Sequence, residues 1–122
     1  MIGYVTLGTR NLEKAAAFYD PIAAELGTPR MFATETFIAW GAPDGQAGLG
    51  LCYPFDGNPM SVGNGVMVAL QAKDKAQVDR LHALALSLGG TCDGPPGPRG
   101  DSFYAGYFRD LDGNKLNAFV MG

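Results

Sequence analysis

The 122-residue sequence predicts an α+β fold built from two β-α-β-β-β modules, and three observations predict it. A repeat of about 63 residues sets Tyr4-Val5-Thr6-Leu7 over Met67-Val68-Ala69-Leu70 and Asn11 over Asp74. Each half carries one helical apolar pattern that opens on a capping residue and closes on glycine. Three short β-rich or alternating runs follow each helix.

Tyr4 to Leu7 reads as the opening strand. From Asn11, the positions Leu12, Ala15, Ala16, Tyr19, Ile22, Ala23 and Leu26 keep helical spacing up to Gly27. Pro21 lies inside this helix, where it removes one backbone donor and should kink the last turns. Arg30 to Ala33, Phe37 to Trp40 and Leu49 to Tyr53 complete the first half as strands. Gly41 to Gly48, rich in Gly, Pro and Asp, reads as a hairpin loop, and Pro54 to Gly65 as the linker between halves. In the second half, Val78, Leu81, Ala85 and Leu88 mark a helix from Asp74 to Gly89-Gly90. Thr91 to Asp93, Phe103 to Arg109 and Lys115 to Val120 then read as strands. Gly94 to Asp101 contains three prolines and is expected to form a long, stiff loop over a site, with Arg99 at its rim. Asp112-Gly113 is the residue pair of a tight hairpin turn. A calcium loop is excluded there, because Lys115 and Met121 stand where such a loop needs Gly and Glu.

Composition permits one domain over residues 1–122, with modules of about 1–60 and 61–122. At 47% hydrophobic and 17% charged the chain can bury a core without disulfides or metal. A net charge of −3 with scattered basic residues argues against nucleic acid or an anionic membrane as partner. Met1 to Gly8 lacks the basic region and cleavage site of a signal peptide, and no apolar run approaches the ~18 residues of a membrane span, so a cytoplasmic protein is expected. Cys52 and Cys92 have neither metal nor redox spacing and are expected to be reduced and buried. The single histidine, His82, lies near the edge of the apolar stripe of the second helix and reads as a solvated or boundary residue, which removes a His-dependent Ser or Cys triad. The glycines of 45–50 and 63–65 run into strands, not helices, so they are not a phosphate cradle.

The Tyr-x-Thr-Leu-Gly strand at Tyr4, the Asn-Leu-Glu-Lys-Ala-Ala-Ala-Phe-Tyr helix from Asn11, and Arg-Asp-x-Asp-Gly-Asn-x-Leu from Arg109 together resemble the vicinal oxygen chelate superfamily. That superfamily holds glyoxalase I, extradiol dioxygenases, and fosfomycin- and bleomycin-resistance proteins; the resemblance covers Met1 to Phe119. It implies paired mixed sheets that form an incomplete barrel around a cavity, and commonly a homodimer. Metal-dependent members carry a histidine on a first strand and a carboxylate on a last strand. The matching positions here are Tyr4, Met67, roughly Gly50 to Cys52, and Asn117, none a histidine or carboxylate. An amide, a thioether and a phenol do not replace imidazole and carboxylate as ligands in water. No metal or other cofactor is therefore expected.

Tyr4, Trp40, Tyr53, Tyr104, Tyr107 and Asn117 are candidates to line an otherwise apolar cavity with hydroxyl, indole and amide groups, unless the aromatics are simply core. Arg99 and Arg109 are candidates to grip an anionic ligand, although Arg109 has Asp110 and Asp112 as alternative partners. The reading is a small-molecule-binding protein of the glyoxalase/bleomycin-resistance type. Its partners are a small ligand and a second copy, with no nucleic acid and no membrane. The alternative is a lactoylglutathione-lyase-like or dioxygenase-type enzyme that acts on a small polar metabolite with a divalent metal.

Overall fold

Asn11 and Asp74 start the two helices. The Asn11 side chain accepts from the Lys14 backbone N–H at 3.0 Å, and that of Asp74 from the Gln77 N–H at 2.8 Å. Each satisfies one donor that a first helical turn leaves open. Helix α1 spans Leu12–Glu25 and continues through Pro21; helix α2 spans Lys75–Ser87. At the start of α2 the Gln77 side chain reaches back to accept from the Lys73 N–H at 2.9 Å. Gly27 and Gly89 follow the helices with φ of +72° and +100°, a left-handed turn that stops a helix at little cost only with glycine.

The computed structural model describes residues 1–41 and 45–122, in two units, Met1–Val62 and Gly63–Gly122. The expected hairpin loop of 41–48 falls in part on residues 42–44, outside the described residues. In the first unit, strands β1 (Tyr4–Gly8), β2 (Arg30–Ala33), β3 (Phe37–Trp40) and β4 (Gly48–Cys52) form one sheet in the order β1-β4-β3-β2. In the second, β5 (Val68–Gln71), β6 (Thr91–Pro98), β7 (Phe103–Arg109) and β8 (Lys115–Met121) lie in the order β5-β8-β7-β6. In each, the first strand runs parallel to the last and the other pairs are antiparallel. Each unit is thus a β-α-β-β-β module with a mixed sheet.

One helix covers one face of each sheet. In module two, Val78, Leu81 and Ala85 of α2 are fully buried, as are the sheet residues Phe108, Leu116 and Ala118. In module one, Leu51, flanked in register by Leu7 and Ile38, is buried on the α1 side with Ala15, Ala16, Tyr19 and Ile22. Burial of a side chain such as Leu51 contributes about 1.5–3 kcal/mol.

Three expectations are corrected. The proline-rich stretch is not a long loop: β6 runs to Pro98, pairs with β7 at Gly94, Gly97 and Pro98, and leaves only 99–102 as the connection. β6 is the edge of its sheet, where a proline costs no ladder bond, and two register shifts absorb the others. His82 is not solvated. It is buried, its Nε2 lies 3.1 Å from the Tyr107 carbonyl oxygen, and its ring meets Phe108 edge-on. Gly106 makes the room, since a Cβ there would stand 3.2 Å from His82 Cδ2. The cysteines are both unpaired, but Cys92 is exposed and Cys52 only half-buried.

The Arg-Asp-x-Asp-Gly-Asn run serves the turn between β7 and β8. Asp110 is buried, and its Oδ1 accepts from the N–H groups of Asp112 and Asn114, both at 2.9 Å. Its Oδ2 accepts from the Asn114 side chain at 2.9 Å. Among the described residues, no helix is long and apolar enough to cross a membrane.

Asp20 on α1 accepts from Trp40 Nε1 at 2.7 Å and from two Arg30 nitrogens at 3.0 and 2.8 Å. The Arg30 bonds, then Trp40, hold its carboxyl below the ordinary value of 3.8 against the opposing effect of burial. A carboxylate with a lowered folded-state pKa stabilises the fold above its unfolded value, and loses that contribution as pH falls through the folded one. Wild type should therefore lose its advantage over Asp20→Asn as pH drops below about 4, and thermal melts of both proteins across pH 2–7 check this. A constant difference in Tm across that range would refute it.

Candidate functional site

Strand alternation and register divide the second sheet into two faces. Phe108 with Leu116, Gly106 with Ala118, and Tyr104 with Val120 point to the α2 side. On the helix-free side, successive rows are Arg109 with Lys115, Tyr107 with Asn117 and Ala69, and Ala105 with Phe119. This face carries the polar set. Phe103 and Phe119 stack on it with ring centroids 5.6 Å apart.

Asn117 sits at the centre of the sheet, 1% exposed, and its Oδ1 has no hydrogen-bond partner. Beside it, the Tyr107 ring has the Arg99 guanidinium 5.5 Å and the Lys115 ammonium 5.4 Å from its centroid. Arg109 donates from Nε to Asp93 at 3.0 Å and from Nη1 to the Gly113 carbonyl at 3.1 Å, and Lys115 lies 3.5 Å from the same Asp93 oxygen. The charge partner of Arg109 is thus Asp93, and neither of the alternatives Asp110 and Asp112. Asp110 and Asp112 are held by the turn, whereas Thr91 pairs with Arg109 and brings Asp93 alongside.

Of the eight candidates named from sequence, four share this face: Arg99, Tyr107, Arg109 and Asn117. Tyr4 stands on the helix-free face of the first sheet, 66% exposed. The other three work on the helix sides. Trp40 is buried and donates to Asp20. The Tyr53 hydroxyl accepts from the Leu12 N–H at 3.1 Å, so it caps α1. Tyr104 donates to Asp79 of α2 at 2.7 Å, and that bond is the main reason its hydroxyl pKa is raised. A separate cleft of about 530 Å³ at the start of α2 includes Tyr104, Lys73, Lys75 and Ser102, and none of the other seven candidates. Sequence reasoning missed Lys115 and Asp93. Lys115 was within reach, since a hairpin turning at Asp112-Gly113 sets it opposite Arg109; the bulged pairing of β6 hid Asp93.

A family model for the glyoxalase/bleomycin resistance protein/dioxygenase superfamily matches residues 1–118. The chain belongs to that superfamily. A glyoxalase/bleomycin resistance protein from Albidiferax ferrireducens T118 is 35% identical, with a TM-score of 0.89 over 98% of this chain and 97% of that one. A hypothetical protein from S. aureus is 25% identical, with a TM-score of 0.75 over 98% and 92%. A lactoylglutathione lyase from Agrobacterium tumefaciens, at 22% identity and a TM-score of 0.72 over 98% and 92%, shares the fold. No curated protein sequence matches the chain.

The positions matched by resemblance to the superfamily's metal ligands carry no histidine and no carboxylate. Tyr4 is exposed, Met67 offers a thioether, the Gly50 to Cys52 stretch offers only the half-buried Cys52 thiol, and Asn117 supplies a single neutral amide oxygen. Among the described residues no three His, Cys, Asp or Glu side chains are grouped to hold an ion. A phenol, a thioether, one thiol and one neutral amide do not make the imidazole and carboxylate ligand set of a divalent metal.

Proposed function

We propose that this superfamily member binds a small molecule on the helix-free face of module two, without a metal, with Asn117 as its anchor. The unpaired, buried Oδ1 of Asn117 carries the reading. An unsatisfied buried acceptor costs about 1–3 kcal/mol, which a ligand N–H or O–H would offset. The stacked Phe103–Phe119 pair and the Tyr107 ring add apolar surface beside it, the mixture typical of small-ligand sites. A second copy is part of the proposal, supported by the helix-free face of sheet one, where Tyr4, Met31 and Phe32 are each more than half exposed. A reducing compartment such as the cytoplasm suits the two unpaired cysteines.

Native mass spectrometry of the purified protein tests these points together. The expected result is two copies, each with a small organic ligand; a stoichiometric divalent ion would overturn the metal-free reading. Asn117→Leu supplies the second arm, because leucine keeps the branched shape and removes the orphan acceptor. It should raise stability by about 1–3 kcal/mol and weaken binding of the recovered ligand tenfold or more. Unchanged affinity would mean that Asn117 is satisfied internally and anchors nothing.

A further inference from the structure

Arg99, just past the end of β6, is laid back across that strand by two bare positions. A Cβ on Gly94 would stand 3.4 Å from Arg99 Nη2, and one on Gly97 would stand 3.2 Å from Nη1. With glycine at both, the side chain folds back, donates to the Pro95 carbonyl at 2.7 Å and brings its guanidinium to Tyr107. Lys115 approaches the same ring, and Arg109 lies in register beside Lys115. Three cations thus gather in a chain of net charge −3, and Asp93 is the one carboxylate that pairs with any of them among the described residues. Asp93 serves Arg109 and Lys115; Arg99 has only carbonyl oxygens and an aromatic face. Gathering like charges is unfavourable unless something negative completes the set.

We propose that Arg99 and Lys115 hold an anionic group of the ligand, a carboxylate or a phosphate, against Tyr107. This rests on the binding reading above and adds the ligand's charge class. Guanidinium and ammonium donors form charge-assisted bonds to such oxygens, and both cations lie within 5.5 Å of the Tyr107 ring centroid. Asn117, in register with Tyr107, then receives a donor from the uncharged part of the same molecule.

Calorimetric titration at low salt with sodium phosphate and with sodium benzoate as probes tests the charge class and separates its two sources. At least one probe should bind with Kd below about 10 mM, and the preferred one names the group. Arg99→Ala and Lys115→Ala should each weaken it about tenfold or more, whereas Lys14→Ala, which removes a like charge from α1, should change it less than twofold. Asp93→Asn should strengthen binding several-fold, by removing the competing carboxylate. The proposal is overturned if neither probe binds, if the Arg99 and Lys115 variants match Lys14→Ala, or if Asp93→Asn weakens binding. A neutral ligand recovered by mass spectrometry and lost in Asn117→Leu would sink the charge class and leave the binding reading standing.

Discussion

Phe108→Ala is expected to destabilise the protein by about 3–5 kcal/mol, enough to take a large part of the stability of a domain this size. Phe108 is wholly buried on the α2 face of the second sheet, opposite Leu116 in register and edge-on to the His82 ring. Truncation loses the transfer free energy of the ring and leaves a void that Leu81 and Val78, both fully buried, cannot close without moving α2. Phe108→Leu, which retains most of the volume, should lose roughly a third as much. Urea denaturation of the three proteins measures this through their midpoints. A loss below about 1.5 kcal/mol for the alanine variant would mean that the core of module two re-closes around the gap.

Asp110→Ala should cost about 3 kcal/mol and lower Tm by roughly 10 °C. Its carboxylate accepts from two backbone N–H groups and the Asn114 amide, and Asn114 is itself buried, so the variant leaves donors without acceptors. Hydrogen bonds to a charged acceptor contribute about 1.5–3 kcal/mol each and do not add fully. Asp110→Asn should fall between, because one amide oxygen still serves the backbone while its NH₂ group faces that of Asn114. Thermal melts at neutral pH decide the order. If Asp110→Ala melts within about 2 °C of wild type, the turn is held by the backbone bonds of Asp110 with Asn114 and Gly113 alone.

Both predictions fall on features whose role differed in legibility. The apolar spacing of Val78, Leu81 and Ala85 announced a helix with one buried stripe, and alternation in β7 put Phe108 on one of two faces. Which face met the helix was not written in that alternation. Tyr104 and Tyr107, three residues apart in the same strand, were equal candidates, and only the docking of α2 through Asp79 and His82 sent one to the helix and left the other with Asn117. The prolines of β6 misled for a related reason. Proline opposes a central strand but is tolerated at an edge, and edge position is a property of sheet order.

By itself the sequence determined the two β-α-β-β-β modules, because capping residues, glycine stops and apolar periodicity are local signals that each helix and strand reads from its own residues. The same local reading argued against a calcium loop at Asp110 and found no histidine or carboxylate at the positions matched by resemblance to the superfamily's metal ligands. Only the tertiary structure decided which polar groups have partners. Asp20 with Trp40 and Arg30, Tyr53 with the α1 N-terminus, and Asp93 with Arg109 are satisfied across 10 to 41 residues of chain, while Asn117 Oδ1 is not. Hydrogen bonding at such separations depends on packing and register, which no run of neighbouring residues encodes, and it is this difference that singles out Asn117 among the residues the sequence proposed.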